Sequence, residues 1–455
     1  MKKKKTKERA KEKAIDSALG VFIGLLAAAF GCLRGVIDGG VYLLFLWVFI
    51  IGYILVNALP MVFSLKIPTL RLKVCRHGVI CLKGFITALI LSAGAHVYFA
   101  AVLIPDKWQE LLWSGLVCFV TLFVLFWNGM ISVYAASVQL GVRKRLAGLM
   151  MGLVPVLNLI MLRRIISVVS EEIYFEKEKI ELNESRKAES ICQTKYPILF
   201  VHGVFFRDFK YLNYWGRIPE EIIKNGGKVY YGNHQSAASV KDCGEEIAAR
   251  IRGVTAESGC PKVNIIAHSK GGLDSRYAIA NCGVEDMVAS LTTVNTPHRG
   301  CIFAEYLLTK LPQKMQQSVA LTYNTAAAKL GDQAPDFMAA VSDLRADKCG
   351  KYDQELTVPD TVYKQSVGSL LKYAAGGRFP LNFTYNMVKY FDGPNDGLVS
   401  EPAFKYGEKY TLITPTGMRG ISHGDMIDLN RENIKGFDVR EFYVQLVKEL
   451  KDKGL

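Results

Sequence analysis

Ser269 lies in Val263-Asn-Ile-Ile-Ala-His-Ser-Lys-Gly-Gly272, where an apolar run meets a small-residue turn and a helical pattern follows. Small residues two positions before and after a serine, here Ala267 and Gly271, suit a strained strand-to-helix turn. Such a turn lifts the hydroxyl above the C-terminal edge of a sheet. The general motif opens on Gly, and this chain has Ala267 in that place. A hydroxyl so presented can attack a carbonyl carbon if a base takes its proton and N–H groups meet the developing oxyanion. An inert serine capping a helix is the competing reading, and the strand before with the helix after argues for the nucleophile. Upstream, Pro197-Ile-Leu-Phe-Val-His-Gly-Val204 is a strand ending in His202-Gly203. The loop after such a strand supplies one oxyanion N–H and the residue after the nucleophile the other, which assigns Val204 and Lys270. Gly203 allows close backbone approach. His202 reads as a brace for this loop.

The base follows by elimination. The chain has seven histidines: His77, His96, His202, His234, His268, His298 and His423. Triad order in a fold of this kind is Ser, acid, His. His268 is inside the turn, and His298 precedes any late-strand acid. His423, in Gly420-Ile-Ser-His-Gly-Asp425, is left to take the Ser269 proton and return it to the leaving alcohol. The acid should follow a late strand and precede His423. Asp396, in Pro394-Asn-Asp-Gly-Leu-Val399, suits that role, with Asp392 as the alternative and a turn-forming role open to either.

These strings, with Tyr214-Trp-Gly-Arg-Ile-Pro219, Arg276-Tyr277 and Thr296-Pro-His-Arg-Gly300, resemble the true-lipase group of bacterial α/β-hydrolases over about residues 195–430. The resemblance implies an α/β-hydrolase fold and a lipid or ester substrate. It also supports Asp396, and implies that Asp425, two residues after His423, is a candidate ligand of a structural Ca²⁺. No partner carboxylate for that ion is identifiable, and a loop-capping Asp is the alternative. The triad chemistry itself requires no cofactor. The resemblance does not extend to the region before residue 165.

Several elements must position these groups. Strand candidates are Ile198–Val201, Val229–Tyr231, Val263–Ala267, Leu291–Val294, Val362–Tyr363 and Tyr410–Ile413, separated by amphipathic stretches such as Gly244–Arg252 and Gly272–Ala280. That alternation predicts a mostly parallel sheet with helices on both faces over 195–455. The span 301–390, holding helical runs Ala304–Leu311 and Val319–Leu330, reads as a helical cap over the nucleophile.

Charge divides the chain. Residues 1–164 carry 20 Lys+Arg and 6 Asp+Glu, 20 − 6 = +14, and residues 165–455 carry 36 of each, 36 − 36 = 0. The excess flanks apolar runs from Ala18 to Leu33, Val41 to Leu59, Gly84 to Ile104, Leu111 to Val133 and Leu146 to Leu162. A nucleic-acid partner would call for clustered cations on a soluble face, so none is expected. The pattern instead fits a cell-membrane protein: a basic cytoplasmic tail (1–17), then a transmembrane helical region (18–164) of four or five helices in the bilayer. The fifth run, with Pro155 and Asn158, could cross, re-enter or lie at the interface. Four crossings leave the C-terminal domain cytoplasmic and five put it outside; Arg163, Arg164 and the scattered cysteines favour the cytoplasm. The ten cysteines show no C-x-x-C metal spacing and read as buried small residues in a reducing compartment. A charged stretch, 165–194, reads as a solvated helical linker. The chain thus reads as a membrane-anchored serine ester hydrolase of the lipase or esterase class. An acyltransferase using the same triad, or a non-catalytic membrane scaffold with a vestigial hydrolase domain, are the rivals.

Overall fold

The computed structural model describes residues 14, 18, 21–22, 37–58, 67–103, 108–152, 154, 157–204, 213–329, 331–414 and 417–455. The basic tail and the run Ala18–Leu33 lie outside the described residues except at isolated positions, as do Pro155 and much of the loop after Val204. The chain forms two compact units, Met1–Leu182 and Asn183–Leu455.

In the first unit, α1 (Gly39–Ala58), α2 (Leu70–Leu103) and α3 (Trp108–Ala136) are, among the described residues, three helices long and apolar enough to cross a membrane. α2 begins well before the apolar run from Gly84, so Arg71, Lys73, Arg76 and Lys83 sit on the same helix as that run. Lys, Arg and Leu are good helix formers and nothing between them stops the helix. Polar side chains join the three helices. Tyr53 donates to the Thr121 carbonyl at 3.0 Å, Asn128 Nδ2 donates to Asn57 Oδ1 at 3.0 Å, and His77 Nε2 lies 3.1 Å from Asn128 Oδ1. Such side chains hold helices together where apolar burial gives little preference.

The fifth apolar run is not one helix. It is divided between α4 (Gly141–Met151) and α5 (Leu157–Arg186), with Asn158 Nδ2 donating to the Gly152 carbonyl across the break. α5 then runs on through the stretch read as a solvated linker, so no element boundary falls near residue 165. The linker reading needs a second correction. Glu172 on α5 is buried and accepts from Ser137 Oγ at 2.5 Å, from the Val138 and Gln139 N–H groups, and from Arg71. Its carboxylate closes the turn after α3, a role that charge patterning alone does not reveal.

The second unit is built on a parallel sheet of six strands among the described residues: β1 (Ile198–Val201), β2 (Val229–Tyr231), β3 (Val263–His268), β4 (Val288–Val294), β5 (Tyr363–Ser369) and β6 (Lys409–Ile413), in spatial order β2-β1-β3-β4-β5-β6. Period-2 alternation sends Ile198 and Phe200 to one face and Leu199 and Val201 to the other. The first pair packs with α6 (Ile218–Lys224) and α14 (Val439–Asp452), through Ile218, Ile222, Tyr443 and Val447. The second packs with α7 (Val240–Ser258) and α8 (Gly271–Asn281), through Ile247, Ile251 and Ile279. Helices on both faces of a parallel sheet whose order reverses at β1 make this an α/β-hydrolase fold preceded by a helical region.

The cap is shorter than the span 301–390. Its helices α9 (Ile302–Thr309), α10 (Gln313–Lys329), α11 (Phe337–Ser342) and α12 (Ala346–Glu355) are followed by β5, a sheet strand, and then by α13 (Leu381–Asp392). Lys364-Gln-Ser-Val-Gly-Ser369 lacks the β-branched run that marks a strand, and its register with β4 and β6 makes it one.

Candidate active site

β3 delivers Ser269 into the turn before α8, with the serine at φ 56°. Left-handed backbone is costly for a side-chain-bearing residue, and close packing holds it there. A Cβ on Gly271 would meet the His202 carbonyl oxygen at 2.3 Å, and one on Gly272 would meet Thr296 Oγ1 at 2.2 Å. Gly203 passes so near that a Cβ there would lie 2.7 Å from Ser269 Cβ. The glycines around this turn are therefore steric requirements, and the loop after β1 lies directly against Ser269. Lys270 opens α8 and Val204 borders the same pocket as Ser269, which suits their N–H groups to an oxyanion.

The structure brings Asp396 and His423 together. His423 Nδ1 is 2.6 Å from Asp396 Oδ2, and the Asp396 carbonyl accepts from the His423 N–H at 2.9 Å. The carboxylate is fully buried. Its Oδ1 accepts from the Leu398 and Val399 N–H groups, and Oδ2 accepts from Asn295 Nδ2 at 2.6 Å. His423 Nδ1 faces Asp396, and the ring lies 4.5 Å, centroid to centroid, from that of His268. Asp392 hydrogen-bonds Ser400 instead. His202 places its nitrogens 3.0 Å from the Gly203 carbonyl oxygen and 3.1 Å from that of His234, and stacks on the His234 ring.

Asp425 departs from the expectation for a calcium ligand. Its Oδ1 accepts from Arg419 Nη2 at 3.0 Å and its Oδ2 from the Ser422 N–H at 2.8 Å.

Two supporting groups escaped the sequence reading. His268 Nε2 lies 3.2 Å from the His423 carbonyl oxygen, which can only accept, so that nitrogen carries the proton. Nδ1 then accepts from the Tyr214 hydroxyl at 2.7 Å, and the Tyr214 oxygen accepts from the Gly203 N–H at 3.1 Å. A one-way relay thus joins the loop after β1, the turn at Ser269 and the loop that carries His423. Burial, reinforced by His423, holds the His268 imidazole well below its usual pKa and so neutral, as the relay requires. Tyr214 stood in a quoted motif, but nothing in that string tells which loop its hydroxyl meets. Behind the elbow, burial works against the Lys270 ammonium. Asp274, whose Oδ1 lies 2.6 Å from Nζ, together with Cys243 more than offsets it and pushes that pKa up.

Beside Ser269 lies a small pocket lined by Val204, Cys301, Ala304, Val341, Leu398 and Val399 among others. The lining is nearly all apolar. The cap over it is tied down by carboxylates. Asp332 Oδ2 accepts from the Ser236 and Ala237 N–H groups, and Asp343 Oδ2 accepts from the Val240 N–H at the start of α7.

No family model matches the chain. It is 33% identical over 180 residues to a triacylglycerol lipase of Pseudarthrobacter phenanthrenivorans (37% of this chain, 56% of the relative), and 33% identical over 180 residues to one of Burkholderia plantarii (37% and 49%). The chain therefore spans about half the length of these curated relatives. The crystal structure of the mature Bacillus licheniformis lipase BlEst2 is similar at 23% identity, over 56% of this chain and 92% of that one, with a TM-score of 0.43.

Proposed function

We propose that this chain is a membrane-anchored serine hydrolase that cleaves lipid-like carboxylic esters through an acyl-enzyme on Ser269. The observation that carries the reading is the 2.6 Å Asp396–His423 pair beside a strained serine elbow at an apolar pocket. His423 Nε2 removes the Ser269 proton as Oγ attacks the ester carbonyl. Asp396 holds the tautomer and stabilises the imidazolium. The Val204 and Lys270 N–H groups receive the oxyanion, the alcohol leaves with the proton from His423, and water attacks the acyl-enzyme by the same route in reverse. The pocket's apolar lining and the triacylglycerol lipase relatives favour an acyl chain as the group held there.

Labelling with a fluorophosphonate probe, followed by a panel of esters of graded chain length, tests this. The wild type should label and Ser269→Ala should not, while His423→Ala should label at most weakly. An unlabelled wild type would sink the enzyme reading, and labelling that survives Ser269→Ala would sink the site. Acyl transfer to an added alcohol outrunning hydrolysis would identify an acyltransferase instead, and an inert but folded protein would point to a scaffold. The three apolar helices among the described residues and the basic N-terminal third support a multi-pass membrane anchor, while Arg163, Arg164 and the scattered cysteines favour the cytoplasmic side for the hydrolase unit.

A further inference from the structure

Asp425 follows His423 by two residues, the position from which the lipase resemblance implies a structural calcium ion. Such an ion takes about six to eight oxygens at roughly 2.3–2.6 Å. The oxygens around this loop face guanidinium groups instead. Arg419 reaches three of them: Nε donates to the Gly376 carbonyl at 2.7 Å, and Nη2 lies 3.0 Å from Asp425 Oδ1 and 3.4 Å from Glu432 Oε2. Arg378 pairs with the same Glu432. Three residues beyond Asp425, Asp428 is held by Arg217, with Nε 2.7 Å from Oδ2 and Nη2 2.8 Å from Oδ1. Each carboxylate on the segment after the base thus already has its positive partner, and the residues present do not fit a hard cation.

We infer that Arg419 takes the place of the cation in this chain, fixing the His423 loop with a side chain where the resembling lipases are implied to use calcium. This rests on the functional reading above, since it assigns Arg419 as a positioning residue for the proposed base. The surrounding backbone explains how. The Arg419 carbonyl accepts from the Lys372 N–H at 3.3 Å, and the Ile421 N–H donates to the Leu370 carbonyl at 2.7 Å. The Leu371 N–H donates to the Asn395 carbonyl at 2.9 Å, next to Asp396. Arg419 therefore stands where the segment leaving β5, the acid loop and the base loop meet. Its guanidinium ties Gly376 on the first of these to Asp425 on the last.

The test uses the full-length protein in detergent. Melting temperature and kcat/KM on a soluble aryl ester are measured after EDTA treatment and again after adding calcium chloride. Neither should change in the wild type. A melting temperature that climbs with added calcium, or a tenfold activity loss in EDTA that calcium restores, overturns the inference. Arg419→Ala should lower kcat by about tenfold to a hundredfold, the scale of a misplaced catalytic group, with KM nearly unchanged. Arg419→Lys should recover part of it. Asp425→Asn should resemble Arg419→Ala, and the double variant should lose no more than the worse single one. Wild-type kcat in Arg419→Ala, or losses that multiply, would count against the pair. If Arg419→Ala does not fold, the wild-type chelation result still decides. If the wild type hydrolyses nothing, its melting response to EDTA and calcium still reports on the brace, so the two failures are told apart.

Discussion

Two buried side chains make the site's chemistry testable at the scale of single residues. His298 in the Thr-Pro-His-Arg-Gly turn takes Arg276 Nη1 on Nδ1 at 3.3 Å and has Thr293 Oγ1 3.0 Å from Nε2. Burial, then the nearby Arg276 and Arg299, hold its pKa well below the usual 6.5. The unfolded chain takes up a proton near pH 6.5 that the folded one refuses, so stability falls as pH drops through that value. Between pH 6.5 and 5 the loss is at most about 2 kcal/mol for one such histidine, from 1.36 kcal/mol per pH unit. The acid-side drop in melting temperature should be shallower in His298→Gln than in the wild type, and equal slopes would contradict the assignment. Tyr214→Phe strips the relay of both its links and leaves the Gly203 N–H and His268 Nδ1 without that partner. It should cost about 1–3 kcal/mol, as unsatisfied buried groups do, and lower kcat more than it raises KM. Unchanged kcat in a destabilised protein would limit Tyr214 to a folding role.

Among the elements, legibility followed pattern strength. β1 is an unbroken apolar run and β3 is apolar but for Asn264 and its final His268, so the strand-turn-helix pattern at Ser269 and the loop after β1 could be read directly, with the proposed triad following from chain order. β5 could not be delimited, because Gln365, Ser366 and Ser369 are buried polar residues whose partners come from neighbouring elements. Arg419 and Glu172 escaped for the same reason: a charge is assumed solvated until a distant backbone carbonyl or N–H group is seen against it. The cap offers an element-level test. Ala304 on α9 and Val341 on α11 line the pocket beside Ser269. Ala304→Trp should leave acetyl ester turnover close to wild type and cut kcat/KM for medium-chain esters by about tenfold or more, since single methylene contacts are worth 10- to 200-fold. An equal loss on every chain length would show that the pocket is not the acyl site.

The whole molecule joins a strongly basic segment, residues 1–164, to a remainder, residues 165–455, whose formal charges balance. Sidedness is the property the sequence left most open, because the fifth run divides into two helices and the first lies outside the described residues. Cys260 and Cys282 are partly exposed. A membrane-impermeant maleimide should therefore label them in inverted vesicles and spare them in intact cells, and the reverse pattern would move the hydrolase unit outside. The left-handed backbone at Ser269 has a wider consequence. A residue without a side chain would sit in that turn at less cost, offset in part by its freer unfolded chain, so Ser269→Gly should be more stable than the wild type by about 1 kcal/mol. A screen of variants for heat resistance alone would then drift towards dead protein, because the most comfortable version of this fold is one that has given up its nucleophile.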